Sequence, residues 1–165
     1  SALDLDVVIG VRGPIAPPEA CNGLMIPIVA VDQMYSFDRV ALRDSIPRPP
    51  KISAATFTAT ADDILDRVTQ MTDNVGSTPG DRALNYAAVR YDRIYAVAAE
   101  AHGRNAWLSR IEAELSPRSG TRILVDVILT FTDRTTNVED RWALRVDVTE
   151  EFPFLVTKLQ PFYDR

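Results

Sequence analysis

The fold is decided by two stretches of sequence, TRILVDVILTFTDR (121–134) and DRWALRVDVT (140–149), with the polar loop TNVE (136–139) between them. In the first stretch apolar residues alternate with mostly polar ones, and the apolar set is Ile123, Val125, Val127, Leu129 and Phe131. In the second stretch the corresponding set is Trp142, Leu144, Val146 and Val148. Because successive side chains of a strand point to opposite faces, this alternation is typical of strands with one buried face and one largely wettable face. The pattern predicts an antiparallel hairpin lying on a hydrophobic core.

Length and charge narrow the class of protein. A chain of 165 residues is within the usual size of one domain. Its 18 basic and 23 acidic residues give a net charge of −5, which disfavours nucleic acid as a ligand because phosphate binding needs a local surplus of Lys and Arg. No stretch approaches the ~20 apolar residues of a membrane span, and acidic residues stand where a signal peptide would be basic. We expect a soluble cytoplasmic domain that binds neither nucleic acid nor membrane.

Strand patterns also occur in the first third of the chain. The stretch LDLDVVIGV (3–11) alternates and predicts a half-buried strand, and the proline-rich stretch GPIAPPEACNG (13–23) predicts a loop. The run LMIPIVAV (24–31) predicts an edge strand or one that begins after Pro27, because proline cannot donate to a ladder. The stretch ISAATFTAT (52–60) is rich in β-branched residues and predicts a short strand.

Two more stretches complete the predicted sheet. The run WLSRIEAEL (107–115) predicts a strand whose inward residues are Trp107, Ile111, Ala113 and Leu115. The tail FPFLVTKLQPFYDR (152–165) is apolar but contains two prolines, so we expect irregular packing or a short edge strand.

Helix start signals are clear at two places, after a short helical turn predicted from Asp38 to Ser45. The run TADD (60–63) resembles a capping box and predicts a short helix that ends near Asn74 and Gly76. The run TPGD (78–81) repeats the signal and predicts a helix from Pro79 to His102, a rod of roughly 36 Å at ~1.5 Å per residue. The sequence therefore predicts an α+β fold, in which an antiparallel sheet with a C-terminal meander packs against one long and one short α-helix.

Reactive side chains are few. His102 is the single imidazole, and its place at a predicted helix end favours a capping or surface role. Cys21 is the single cysteine, so no internal disulfide can form, and it has no basic neighbour in the sequence to activate it as a nucleophile. One His and one Cys do not make a structural zinc site without carboxylates. We predict no catalytic residue, no metal site and no cofactor.

Carboxylate pairs leave one alternative open. They occur at Asp4/Asp6, Asp62/Asp63, Glu112/Glu114 and Glu150/Glu151. Residues two apart on a strand share its face, so two of these pairs form acidic rows that are conceivable sites of acid–base or metal chemistry. Solvated surface carboxylates are far commoner than catalytic pairs. Phosphate-binding motifs such as GxGxxG do not occur.

Aromatic residues are the remaining candidates for binding. Tyr35 and Phe37 follow a predicted strand, and Phe162 and Tyr163 lie in the tail beside a proline. Aromatic side chains are enriched where protein surfaces bury one another, although core packing explains each of these residues too. We expect any binding surface to include Tyr35, Phe37, Phe162 and Tyr163.

Four stretches, in order, resemble a known family. They are PIVAVDQMYSFDRVALRD (27–44), NVGSTPGDRALNYAAVRY (74–91), LSRIEAELSP (108–117) and the segment from DVILTF to RVDVTEEFPFLVTK (126–158). Together they resemble the C-terminal domain of unknown function of the cyanobactin maturation proteases, the subtilisin-like enzymes of patellamide-type peptide biosynthesis. That family has cysteines near the turn that residues 118–121 occupy here, so the resemblance gives no metal site in this chain.

The resemblance implies an accessory role. Residues 1–165 would form one accessory domain excised from a larger polypeptide, and the subtilisin triad would lie in another domain of the parent protein. The domain itself would not be an enzyme. It would bind the parent protease domain or the precursor peptide during leader cleavage or macrocyclisation of a ribosomally synthesised cyclic peptide. Two alternatives stay open, an enzyme of unrecognised type that uses the acidic residues and a purely structural homodimerisation domain.

Overall fold

A four-stranded antiparallel sheet forms the centre of the fold. The structure, a computed structural model, describes residues 4–70 and 76–163. The sheet consists of β3 (Ala106–Leu115), β4 (Leu124–Asp133), β5 (Glu139–Asp147) and β6 (Phe154–Pro161), in that spatial order. The predicted hairpin is β4 and β5, and the predicted edge strand in the tail is β6. With helices packed on this meander, the predicted α+β class is confirmed.

The inner face of the sheet consists of the residues that alternation predicts. Each of the following side chains is at most 1% exposed: Val125, Val127, Leu129, Phe131, Leu144, Val146 and Val148. Trp142 packs against the same core while half-buried. The prediction is wrong for Ile123, which is 40% exposed because it lies before the first residue of β4.

A β-bulge changes the inward set of β3. The register pairs Leu108 with Phe131 and Ile111 with Leu129, which leaves one extra residue, Ser109, on β3. Leu108 therefore faces the core at 4% exposure, whereas Trp107, predicted to be inward, is 40% exposed. Ile111 and Ala113 pack against the core as predicted. Leu115 shares their face but is 65% exposed, because it ends the strand.

The outer face of the sheet is less wettable than predicted. Asp126 and Thr130 of β4 are buried, and Arg145 of β5 holds Asp126 through two hydrogen bonds of 2.7 and 2.9 Å. Glu112 of β3 and Arg141 of β5 approach to 3.9 Å across β4. The long side chains of Glu112, Arg141 and Arg145 lie over β4. They shield its outer face from solvent without a second layer of helices or strands.

The stretch 52–60 is helical, which corrects the predicted strand there. Helix α2 (Ala54–Gln70) begins after Ser53, whose hydroxyl accepts from the Thr56 N–H at 3.0 Å. Its buried stripe is Phe57, Ala61, Ile64, Leu65 and Val68, which has helical spacing. This packing overrides the β propensity of the threonines. Thr60 donates to the Thr56 carbonyl within the helix and is not its N-cap. Asn74, near which this helix was predicted to end, lies outside the described residues.

The predicted long helix is two helices. A capping box at Thr78 and Asp81 starts α3 (Pro79–Arg90), as predicted. Tyr91 then leaves the helical conformation with φ −124° and ψ 87°, and α4 (Arg93–Gly103) follows. At the break, the buried Tyr95 hydroxyl donates to the Ala88 carbonyl at 2.6 Å, and the Tyr91 hydroxyl accepts from the Leu159 N–H of β6 at 3.1 Å.

The helices cover the inner face of the sheet. Helix α3 packs on β3 and β4, α4 packs on β3, and α2 packs on α4. The alanines of α3 and α4 allow this close approach, and six are at most 4% exposed: Ala83, Ala87, Ala88, Ala98, Ala99 and Ala101. The short helix α1 (Arg39–Ser45) begins where predicted, with Asp38 accepting from the Val40 N–H at 2.7 Å.

The first two strands form a separate ribbon. Strands β1 (Asp4–Ile15) and β2 (Pro27–Asp38) pair antiparallel as a two-stranded sheet, joined by a 3₁₀ turn at Pro18–Ala20. Strand β1 thus extends into the stretch 13–15 that was predicted to be loop, because a two-stranded ribbon tolerates Pro14 at its edge. Phe37 packs on the main core, and Arg12 Nη1 donates to the Ser77 carbonyl at 2.7 Å. These contacts join the ribbon to the rest of the fold.

Candidate functional site

His102 and Cys21 lie in unrelated parts of the fold. His102 is exposed in the last turn of α4, where its carbonyl accepts from the Asn105 N–H at 3.1 Å. Cys21 is a half-buried free thiol just after the 3₁₀ turn of the ribbon. Within residues 4–70 and 76–163, no three His, Cys, Asp or Glu side chains are grouped so that they could hold a metal ion.

One carboxylate from each of two acidic pairs is held by arginines. Asp62 of α2 lies 3.5 Å from the guanidinium of Arg39, which also reaches Asp66 at 2.6 Å. Glu112 of β3 lies 3.5 Å from Arg110 and 3.9 Å from Arg141. These contacts tie α1 to α2 and β3 to β5, so Asp62 and Glu112 have a structural role.

One buried carboxylate has a strongly shifted pKa. Asp147 at the end of β5 is 2% exposed and accepts a hydrogen bond from Arg122. This bond is the main cause that lowers the pKa of Asp147 to about 2, and burial opposes it. The guanidinium of Arg122 also lies 5.5 Å from the ring centroid of Phe154. The carboxylate therefore stays ionised and organises the edge of the sheet near β6.

The predicted aromatic pair of β2 is divided between core and surface. The rings of Tyr35 and Phe37 lie 6.3 Å apart at an interplanar angle of 25°. Phe37 packs against the core, whereas Tyr35 is 42% exposed and donates its hydroxyl proton to Gln33. Tyr35 is therefore the member of the pair that a partner can reach.

The aromatic residues of the tail surround β6. The guanidinium of Arg141 lies 5.0 Å from the ring centroid of Phe162, and Tyr163 is 81% exposed. Phe152 and Phe154 are 44% and 46% exposed. The structure thus brings the predicted residues Phe162 and Tyr163 together at the edge strand of the main sheet, while Tyr35 and Phe37 lie on the other sheet.

Arg82 fixes the segment that presents Phe152. Its guanidinium donates to the carbonyl of Val148 at 2.6 Å and to that of Glu151 at 2.9 Å. Burial lowers the pKa of Arg82, because desolvation disfavours its charged form. The clamp joins α3 to the β5–β6 connection, so the exposed aromatic ring is held on ordered backbone.

Sequence reasoning missed an apolar surface on the ribbon. Val8 and Met34 are directly opposite each other in the register, and Val31 is opposite Gly10 on the same face. Their exposures are 45%, 65% and 57%. We call this face, defined by Val8, Val31 and Met34, the ribbon face. The available signal was the adjacent pair Val7-Val8, which breaks the alternation and places apolar side chains on both faces of β1.

A shallow cleft lies where α1 meets the break between α3 and α4. Its volume is about 200 Å³, and its lining includes Leu42, Val89 and Tyr95 with Arg90 and Asp92. Such a volume is small for a site that buries a drug-sized ligand, for which 300–1,000 Å³ is typical.

In the part of the chain that the structure describes, no helix is long and apolar enough to cross a membrane.

Comparison with known proteins decides the family. The model of the family described as PatG C-terminal matches residues 51–162. The chain belongs to this family. The match contains the second, third and fourth of the stretches on which the sequence resemblance rests, and it begins after the ribbon. No curated protein matches the chain.

A solved structure shares the fold of this PatG C-terminal domain. It is named "PatG Domain of Unknown Function", and it is similar to the chain with a TM-score of 0.64 and 22% sequence identity. The likeness covers 95% of this chain and 60% of that one. It therefore extends to the ribbon, which the family match leaves out, and the chain spans about 60% of the length of that structure.

Proposed function

We propose that this PatG C-terminal domain is a non-catalytic interaction module in the maturation of ribosomally synthesised cyclic peptides. It binds the parent subtilisin-like protease domain or the precursor peptide while the leader is cleaved or the core is macrocyclised. The observation that carries the proposal is the set of apolar and aromatic side chains exposed on ordered strands, on the ribbon and around β6. Membership of the PatG C-terminal family supports the biosynthetic setting that we propose.

Exposed apolar strands favour a binding role on energetic grounds. Removing apolar surface from water contributes about 25 cal/mol per Å². A partner that covers Met34 or Phe154 would therefore gain binding free energy from the burial of that side chain. Large contiguous apolar patches on a folded domain commonly mark such contacts. The arginines that stack on Phe154 and Phe162 add the residue types that are typical of interface centres.

The lowered pKa of Asp147 argues against a general-acid role for this residue. A general acid at neutral pH needs a carboxyl pKa raised towards 7. The pKa of Asp147 is lowered to about 2, which is the opposite direction. Asp147 and Arg122 instead form a structural ion pair.

Calorimetric titration tests the proposal. The domain is titrated separately with the catalytic protease domain and with the full precursor peptide, and we expect saturable heat with at least one of them. Absence of heat with both would refute the proposal. Sedimentation equilibrium of the domain alone, run in parallel, separates this role from the alternative of a homodimerisation domain.

A further inference from the structure

We propose that the ribbon face binds a polypeptide segment that is both apolar and basic. This inference deepens the proposed interaction role and rests on it, because it assigns one surface and one class of partner. The evidence is the exposure of Val8, Val31 and Met34 together with the concentration of negative charge on the ribbon.

The geometry of the ribbon face suits an extended or amphipathic segment. Val8 and Met34 are opposite each other, and the next pair of the same face is Gly10 and Val31. Gly10 has no side chain, and the Val29 Cγ1 would lie only 2.7 Å from a Cβ placed there, so the space beside Gly10 is already filled from β2. A Cβ at Gly10 would lie 2.2 Å from the Ala30 carbonyl oxygen, so this position holds a glycine because the strands approach closely at the bulge. A partner segment would therefore lie across the exposed side chains of Val8, Val31 and Met34.

The charge of the ribbon selects the partner. Residues 4–38 contain five acidic residues and one basic residue, a net charge of −4, whereas the whole chain carries −5. Asp6 is two residues from Val8 and therefore on the same face, and Asp32 follows Val31 in the bulge; both are exposed. The one basic residue, Arg12, is directed to the Ser77 carbonyl. Apolar side chains bordered by carboxylates are complementary to a segment that alternates apolar residues with Lys or Arg.

The same charge disfavours a second copy of the chain as the occupant. Two ribbons placed face to face would bring two sets of Asp6 and Asp32 together, and juxtaposed like charges oppose association. A basic segment instead replaces the water around these carboxylates with ion pairs. The negative field also steers a positively charged segment to the ribbon before contact.

Synthetic peptides test the inference directly. Three fluorescent peptides of equal length, with repeating Leu-Lys, Leu-Glu and Ser-Lys, are titrated with the 165-residue chain and followed by anisotropy. We expect binding of Leu-Lys, no binding of Leu-Glu and weaker binding of Ser-Lys, and we expect the Leu-Lys affinity to fall as salt screens the carboxylates. Equal binding of Leu-Lys and Leu-Glu would overturn the inference.

Variants locate the binding surface. The double variant Val31→Ser with Met34→Ser removes exposed apolar groups without touching the core, and we expect the Leu-Lys peptide to bind at least about tenfold more weakly. The double variant Asp6→Asn with Asp32→Asn should bind more weakly and show a smaller salt dependence. The matched control is Val138→Ser with Glu114→Gln, which removes an exposed valine and an exposed carboxylate elsewhere and should bind like the parent chain.

Three outcomes would refute the ribbon as this site. The first is unchanged binding by both ribbon variants, and the second is equal loss in the control. The third is a dimer in sedimentation that Val31→Ser with Met34→Ser dissociates, because the ribbon face would then be occupied by a second copy. If calorimetry detects the protease domain or the precursor peptide and the ribbon variants retain that binding, the interaction role stands and the ribbon inference falls.

Discussion

Replacing Tyr95 with Phe tests how the break between α3 and α4 is held. In a continuous helix the Ala88 carbonyl would accept from the N–H of Asp92. In this domain the Tyr95 hydroxyl donates to that carbonyl at 2.6 Å, and both residues are buried, at 1% and 4% exposure. Tyr95→Phe keeps the ring and its apolar burial but removes the donor. The Ala88 carbonyl is then left without this partner.

The expected cost follows from that unpaired carbonyl. Loss of a partner to a buried polar group costs about 1–3 kcal/mol. For a domain of this size, 1 kcal/mol shifts the melting temperature by about 2–4 °C, so Tyr95→Phe should lower it by about 2–12 °C.

Thermal melting followed by circular dichroism checks this prediction. The control is Tyr163→Phe, the same chemical change at a residue that is 81% exposed, which should leave the melting temperature unchanged. Burial raises the pKa of Tyr95 well above its ordinary value of 10. The stabilisation is therefore complete below pH 10 and declines at higher pH, so the gap between the parent and Tyr95→Phe should narrow there. Equal melting temperatures at pH 7 would refute the hydroxyl as the group that holds the break.

Three further substitutions test other parts of the fold. Leu144→Asp places an unpaired charge at a position that is 1% exposed and should abolish the cooperative melt; an unchanged melting temperature would contradict the assigned face of β5. Gly10→Ala brings a Cβ to 2.2 Å from the Ala30 carbonyl oxygen and should speed amide hydrogen exchange throughout β1 and β2 while the main sheet stays protected. Asp147→Asn should destabilise the domain at neutral pH. Because the pKa of Asp147 is lowered to about 2, the advantage of the parent chain is complete above pH ~4 and is lost as pH falls through about 2. Melting temperatures measured from pH 2 to pH 7 should therefore converge in acid, and a constant gap would contradict the ion pair as the cause.

Sequence alternation predicts β4 and β5 well because one face of each strand meets the core and no residue is inserted between them. The start of α3 is equally clear, because the Thr78 hydroxyl and the Asp81 carboxylate form a local capping box that needs no distant partner. The bulge at Ser109 is different. Its neighbours alternate normally in sequence, and only pairing with β4 shows the extra residue.

The break in the long helix also depends on distant contacts. No glycine or proline marks Tyr91, and the apolar stripe continues across it. The break is stabilised by the Tyr95 hydroxyl and by the Leu159 N–H of a strand that comes much later in the chain. Neither contact can be inferred from the local sequence. The prediction of a continuous helix was wrong because tertiary contacts stabilise the break.

The candidate surfaces could be predicted only in part. Composition selected Phe37 and Tyr163 alike, yet the first packs on the core and the second is 81% exposed. The ribbon face was missed because a strand pattern predicts a buried side, whereas a two-stranded ribbon has no layer that must cover it. Whether a strand face is exposed depends on the elements that pack against it, which the sequence of the strand does not specify.

The hydrogen bond from the Leu159 N–H to the Tyr91 hydroxyl has a consequence for how crowded copies of this domain behave. Strand β6 is the outermost strand of the main sheet, and outer strands offer backbone donors and acceptors on which another molecule can polymerise. Tyr91 binds one backbone donor of β6, the Leu159 N–H, with a side chain of the same molecule, so that N–H is not available to an incoming strand. The break between α3 and α4 therefore keeps one backbone donor of this outer strand occupied within the molecule.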